Sequence, residues 1–388
     1  MMDKIKSWTD KNIQGDPVIW LVVICLSVMG ILVVYSATGS LAYRVAGGNT
    51  ERYLFKHSLM VFLALGVMWG AHKIDYRYYS KLTRYALVAA VPLLLYAWLY
   101  GAEVNGARRW IELPFIGLQF QPSDLAKLAL VAALATMLSK RQQNITDIKE
   151  SLIPLLAWCG GICALIAMTN ISTAVMLFAA CMLLLFIGRV PVKYLAMLVV
   201  VGAFAGLLAM KLGQRGGTAE GRITRFIEGT EVPYQVEQSY IAIATGGIMG
   251  KGPGNSVQRN FLPEAYSDFV FAIIIEEYGI VGGVFVLFLY LVLLYRGMRV
   301  VANSDRAFGG LLSAGLTFLI VIQALVNIGV VVGLGPVTGQ TLPLLSMGGT
   351  SLIFTGLSLG IILSVSRGEQ EQSSALNGEL KNSTRVVA

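Results

Sequence analysis

Charge is what this 388-residue sequence has least of. Only 13% of its residues are Asp, Glu, Lys or Arg, 56% are hydrophobic, and the mean hydropathy is +0.68. A water-soluble domain carries about a quarter charged residues, so the deficit argues for lipid as the main solvent and leaves no room for a sizeable soluble domain. Histidine is scarcer still, with two copies, and the four cysteines (Cys25, Cys159, Cys163, Cys181) all lie in apolar runs. That argues against a disulfide framework and against a Cys/His metal centre. No internal repeat is evident, which weakens an inverted-repeat transporter. No cleavable signal peptide is evident either: the apolar run after Asp16 is too long for one and reads as a first anchor.

What is present in quantity is uncharged sequence long enough to cross a bilayer, for which about 20 apolar residues suffice. Residues 17–43, 85–102, 151–188 and 307–366 contain no charge at all. The expected helices lie at about 17–43, 54–71, 85–102 and 121–138, then two within 151–188 divided at Thr169–Thr173. One follows at 194–211 and one at 269–295, and two more within 307–366 are divided by Gly335, Pro336 and Pro343. The sequence thus predicts an all-α polytopic membrane protein of about ten transmembrane helices. Residues 1–16 form an N-terminal segment, 17–366 the transmembrane domain, and 367–388 a Ser/Asn/Gln/Glu-rich tail of disordered composition.

The net charge of +8 follows from topology. The N-terminus, the tail and the loops 72–84, 139–150, 189–193 and 296–306 hold most of the short-loop Lys and Arg, which assigns that side and both termini to the cytoplasm. Basicity of this origin does not imply nucleic acid. The segments 101–120, 212–268 and 335–344 then face outward, with 212–268 a long outer loop between helices 7 and 8.

The outer segments carry the candidate chemistry. Gly246, Gly247, Gly250, Gly252 and Gly254 precede Asn255, Ser256, Glu264 and Asp268. Such glycines let backbone N–H groups approach an anion, or they form a re-entrant loop packed on the bundle. The GxxxxGK[ST] spacing of a P-loop is absent. Asp268, where polar loop meets helix 8, is either a general base at the interface or a helix-capping acid. Glu264 would share its face if the stretch is helical. Glu276 and Glu277 read as acids at membrane depth that pair within the bundle. Lys127 has Asp124 at i−3, so it is either half of an internal ion pair or a cation facing a lipid diphosphate. Arg108 and Arg109 bind an anion or anchor headgroups.

In this order the motifs are familiar. They are Asn105–Ile111 (Asn-Gly-Ala-Arg-Arg-Trp-Ile), Gln121–Lys127 (Gln-Pro-Ser-Asp-Leu-Ala-Lys), Tyr234-Gln235 with Gln238-Ser239, and Gly252–Ser256. The most specific, Leu262–Phe271 (Leu-Pro-Glu-Ala-Tyr-Ser-Asp-Phe-Val-Phe), is followed by Glu276-Glu277, Asn327–Gly329, Gly335–Gly339, Leu342-Pro343 and Ser346–Ser351. Over residues 15–367 the chain resembles the SEDS family (shape, elongation, division and sporulation).

The resemblance implies a peptidoglycan glycosyltransferase that polymerises lipid II by inversion at the outer face of the bacterial cytoplasmic (inner) membrane. The Gly-Asn-Ser and Pro-Glu-Ala portions are closer to the family's division-linked branch, implying work at the septum. It further implies Asp268 as the catalytic residue and Arg108, Arg109, Lys127, Gln235, Gln238, Ser239, Asn255, Ser256 and Glu264 as substrate-binding residues. A divalent cation (Mg or Mn) is a possible cofactor, and a class B penicillin-binding transpeptidase and other divisome proteins are expected partners. The chain departs from the family pattern at Asp124 (usually Glu), Asn170 (usually Asp), Lys56-His57 (often Arg-Gln) and Tyr266-Ser267 (often His-Thr). Two other readings stay open: a flippase or transporter of a lipid-linked precursor, and a non-catalytic divisome scaffold.

Overall fold

The computed structural model describes residues 12, 14–39, 50–104, 107–112, 119–142, 145, 147–212, 216–228 and 232–387. Ten apolar helices form the bundle: α1 (Pro17–Ala37), α2 (Thr50–Lys73), α3 (Tyr76–Tyr100), α4 (Pro122–Lys140), α5 (Ile153–Ala167), α6 (Ile171–Ile187) and α7 (Val192–Leu212), then, after two short helices, α10 (Val270–Asn303), α11 (Ala307–Val331) and α12 (Thr350–Val387). Among the described residues nine candidate spans are 18 residues or longer, and α6 has 17. The intervening α8 (Gly216–Glu228) and α9 (Tyr234–Gly246) lie in the outer segment. The predicted ten-helix class is therefore what the chain adopts. Hydropathy dictates it, because backbone N–H and C=O groups in hydrocarbon must be satisfied within the segment itself.

Several boundaries differ from expectation. α1 ends at Ala37 rather than 43. α3 begins at Tyr76, not 85, because Asp75 caps it by accepting from Arg77 N at 2.9 Å. Arg77, Lys81 and Arg84 thus ride on its first turns, as long basic side chains at an interface can. The tail expected to be disordered continues as helical backbone to Val387. It contains no proline, and extending an existing helix avoids the cost of nucleation.

The segment 212–268 is not a loop. It holds α8, α9 and a short 3₁₀ turn (Gln258–Asn260). The glycine-rich stretch after α9 is the re-entrant, packed alternative. α10 is broken at Gly279 (φ 71°, ψ −175°). The break frees backbone groups that pair with the glycine turn: Lys251 N to Glu276 O and Gly252 N to Glu277 O at 2.9 Å, and Ile280 N to Gly247 O at 3.0 Å. A Cβ at Gly246, Gly250 or Gly279 would overlap main-chain atoms of the opposite segment. Glycine here permits backbone-to-backbone contact, not anion binding.

Lipid tails are as apolar as leucine, so helices associate through close packing and hydrogen bonds. The α2–α12 pair shows this. Gly356 and Gly360, four apart, bring α12 against the backbone of Ala64 and Met68. α4 is the most enclosed span and α7 the least. Between α3 and α4, strands β1 (Ala102–Val104), β2 (Ala107–Glu112) and β3 (Gln119–Phe120) form a small antiparallel sheet that lies on the outer side.

Candidate active site

A cavity of about 910 Å³ opens at the end of the bundle that the basic loops assign to the outside. Five separate parts of the chain build it: α2, the β2–α4 region, the start of α6, the turn before α10, and the stretch from α11 to the start of α12.

Asp268 lines this cavity, half-buried. It does not cap α10: the helix begins at Val270, its cap residue is Phe269, and that position makes no side-chain capping bond. Asp268 sits in the preceding turn, and Ser267 Oγ donates to its Oδ1 at 3.0 Å. Three successive carbonyls of this turn are held from behind. Tyr266 O accepts from Met347 N at 2.9 Å, Ser267 O from Ser346 Oγ at 2.6 Å, and Asp268 O from Asn327 Nδ2 at 2.8 Å. Asn327 also donates to Gln340 O at 2.6 Å, and Gln340 donates to Thr173 Oγ1 of α6 at 2.9 Å. The turn is thereby fixed to α6 and α11 through buried polar links. Gly339, at φ 66°, leaves Asp268 Oδ2 room that a side chain would fill.

Glu264 lines the same cavity, though not by sharing a helical face: its φ of 56° places it in a tight non-helical turn. Burial pushes its carboxyl up, the nearby Asp268 adds to this, and the Tyr266 hydroxyl and Arg109 oppose it. Burial together with Glu264 pushes the Tyr266 phenol up as well.

The cationic wall comes from Lys56, Arg109 and Lys127. Lys127 Nζ pairs with Asp124 Oδ1 at 2.8 Å, both largely buried, and both line the cavity, so the internal ion pair and the cavity-facing cation are one arrangement. The two arginines of β2 part company, because successive strand residues point to opposite faces. Arg109 lines the cavity, whereas Arg108 lies against Glu103 at 3.8 Å and donates to Leu99 O at 3.3 Å. Asn170 caps α6, accepting from Thr173 N at 3.2 Å, and lines the cavity. The acid that the family usually places there is replaced by a neutral cap.

Five further expected binding residues, besides Arg108, lie elsewhere. Gln235, Gln238, Ser239, Asn255 and Ser256 are not among the cavity's lining residues. Ser239 is buried and donates to Val236 O (2.8 Å) and Val331 O (3.3 Å), fastening α9 to α11. Asn255 Nδ2 donates to Lys251 O at 3.0 Å. Ser256 donates to Glu276, which also accepts from Lys251 Nζ at 2.6 Å and from the backbone N–H groups of Val257 and Gln258. Glu276 is thus the anchor of the glycine segment, and its expected bundle ion pair is made with Lys251. Glu277 accepts from Ser36 of α1. About 20 residues cross the hydrocarbon core, so the part of the 34-residue α10 after Gly279 suffices and both acids sit toward the outer end.

The sequence reading missed His57, Trp110, Gln323, Gln340 and Tyr266 as cavity residues. His57 is buried, with neither ring nitrogen bonded to another group. Its signal was available: Lys56-His57 is a charged and polar pair within the apolar run expected at 54–71.

Among the described residues no three His, Cys, Asp or Glu side chains gather as a metal site. Four carboxylates, Glu112, Asp124, Glu264 and Asp268, line the cavity, Asp124 being paired with Lys127, and one or two carboxylates plus substrate phosphates is a donor set that Mg²⁺ accepts.

The comparisons fit this geometry. The profile of the FtsW/RodA/SpoVE family, described as cell cycle proteins, matches residues 16–371. The chain belongs to this family. Stage V sporulation protein E of Bacillus subtilis is 32% identical over 370 residues, covering 92% of this chain and 99% of that protein. The probable peptidoglycan glycosyltransferase FtsW of Geobacter metallireducens is 33% identical over 356 residues, covering 90% and 94%. Among solved structures, a chain from a peptidoglycan synthase complex that coordinates polymerization and crosslinking superposes with a TM-score of 0.70 at 28% identity, covering 92% of this chain and 98% of that one. The rod shape determining protein RodA of Thermus thermophilus gives 0.66 at 28%, covering 92% and 97%. In this family member the Leu262–Phe271 motif is the turn that presents Asp268 to the cavity.

Proposed function

We propose that this FtsW/RodA/SpoVE-family protein is a peptidoglycan glycosyltransferase. It joins lipid II units into glycan strands at the outer face of the bacterial inner membrane, at the division septum, beside a class B penicillin-binding transpeptidase. The observation that carries the reading is the shared outer cavity: Asp268, its backbone held from behind, lines the same space as the cations Lys56, Arg109 and Lys127. The names borne by the FtsW relative and by the synthase complex support the reaction, and the latter supports a crosslinking partner.

Asp268 accepts the proton of the acceptor sugar's 4-hydroxyl. That oxygen forms a bond to the anomeric carbon of the donor from the face opposite the leaving group, while the bond from that carbon to the lipid diphosphate breaks, giving inversion. Lys56, Arg109 and Lys127 face the charge that develops on the leaving diphosphate, where fixed cations stabilise a transition state most. Asp124 orients Lys127. A divalent ion, were one held by Glu264 together with substrate phosphate, would supply further positive charge at the leaving group.

Purified protein and purified lipid II test the reading. Asp268→Ala should lower polymer formation at least ~100-fold, the scale of a lost general base, with expression and melting temperature close to those of the parent. Chelation should lower turnover of the parent, and added Mg²⁺ or Mn²⁺ should restore it. Full polymerisation by Asp268→Ala would overturn the assignment. Movement of labelled lipid II between leaflets without polymer would establish a flippase instead.

A further inference from the structure

A second site lies on the opposite side of the bundle, away from the glycan chemistry. At the cytoplasmic ends of α4 and α5 is a polar cavity of about 850 Å³. Lys140, Arg141 and Lys149 line it against a single acid, Glu150. Arg141 Nη1 donates to Ser151 O at 3.4 Å, tying the end of α4 to the start of α5 and holding the guanidinium at the cavity. A second, apolar cavity of about 710 Å³ runs between α3 and α5. The two share Pro154 as a lining residue, so the polar cavity adjoins the apolar groove at the start of α5.

The groove has a cause in the sequence. Ala157, Gly161 and Ala164 recur at i, i+4 and i+7 along α5 and form its floor, while Trp98 of α3 and Trp158 of α5 line it with bulk. A Cβ at Gly161 would meet nothing within 4 Å. Its lining residues extend along α5 from Pro154 to Met168. At 1.5 Å per residue this is ~21 Å, longer than half of the ~30 Å hydrocarbon core, so one acyl chain fits within its length.

We propose that this composite cavity is a binding site for one anionic phospholipid of the inner leaflet. The headgroup phosphate lies among Lys140, Arg141 and Lys149, and one acyl chain lies along the α3–α5 groove. Charge complementarity selects the occupant: the short-loop basic residues assign this side to the cytoplasm, the cytoplasmic leaflet carries the anionic lipids, and basic pockets between transmembrane helices bind their headgroups. The site is independent of the glycosyltransferase reading, and its test does not use that activity.

Trp158 of α5 serves as the reporter in the full chain once Trp8, Trp20, Trp69, Trp98 and Trp110 are replaced by Phe. The protein is reconstituted in phosphatidylcholine vesicles containing a minor fraction of chain-brominated phosphatidylglycerol, or the same fraction of chain-brominated phosphatidylcholine. Brominated phosphatidylglycerol should quench Trp158 ~2-fold more or better, as a locally concentrated anionic lipid requires. Replacing Lys140, Arg141 and Lys149 together by Gln should bring quenching down to the phosphatidylcholine level, whereas Lys193→Gln with Arg299→Gln should leave the excess in place. Gly161→Leu, which fills the groove, should remove the excess by a separate route, so a folding failure in one variant leaves the other to decide. Equal quenching by the two lipids, or an excess that survives both variants, overturns the proposal. So does displacement of the brominated lipid by unlabelled polyprenyl phosphate where equal unlabelled phosphatidylglycerol has no effect.

Discussion

Glu264 and Asp268 meet in one cavity although no regular helix or strand relates them. Burial pushes the Glu264 carboxyl above its ordinary value of 4.5. The folded protein therefore binds this proton more tightly than the unfolded chain, and the group's contribution to stability falls as pH rises from about 4.5 through the raised folded value. Thermal unfolding in detergent should show a melting temperature that declines over that window. Glu264→Gln, which keeps shape and loses the charge, should flatten the decline; an unchanged slope would mean that other groups produce it. Asp268 was legible in the sequence because polar loop and apolar helix meet there. Its partners were not. His57, Gln323 and Gln340 lie in three distant segments, and only the packing of α2, α11 and the segment before α12 brings them together. Arg108 and Arg109 were indistinguishable until β2 set their alternation.

At the level of elements, the ten apolar helices were readable because hydrophobic length alone defines them. α8 and α9 were not, since a polar outer segment of this composition is compatible with helix or loop. The glycine stretch shows why chemistry read from residue type can mislead: its spacing suits an anion nest, but the carbonyl and N–H groups of the broken α10 already occupy it. This leads to a graded expectation. Gly250 (φ 81°) and Gly254 (φ 80°) share a left-handed backbone, but a Cβ at 250 would overlap Glu277 O, whereas one at 254 would meet nothing within 4 Å. Gly254→Ala should cost about 1 kcal/mol, the left-handed penalty alone. Gly250→Ala should cost at least ~3 kcal/mol, as displaced backbone adds to it. Denaturant or thermal titration of the two variants measures the difference, and equal losses would refute the close pairing of the glycine turn with α10.

For the molecule as a whole, topology divides the two cavities between opposite sides of the membrane. Cys159, Cys163 and Cys181 are buried and Cys25 is half-buried, so the native thiols provide a quiet background for labelling. Glu112 and Gln142 are exposed beside the outer and inner cavities. In intact cells a membrane-impermeant maleimide should modify Glu112→Cys nearly completely and Gln142→Cys only after permeabilisation. The reverse pattern would invert the orientation drawn from the basic loops. That orientation was legible because short loops concentrate Lys and Arg on one side; the enclosed α4 and peripheral α7 were not, since both read simply as apolar.

The fold grips the turn at residues 266–268 by three consecutive main-chain carbonyls. What those residues carry as side chains is therefore largely uncoupled from what keeps the turn in place. In a library randomised at these positions, cellular abundance and catalytic output should come apart: many sequences would accumulate to parental levels, while few would make glycan. A wall built this way lets a lineage alter the chemistry at its active site without rebuilding the bundle around it.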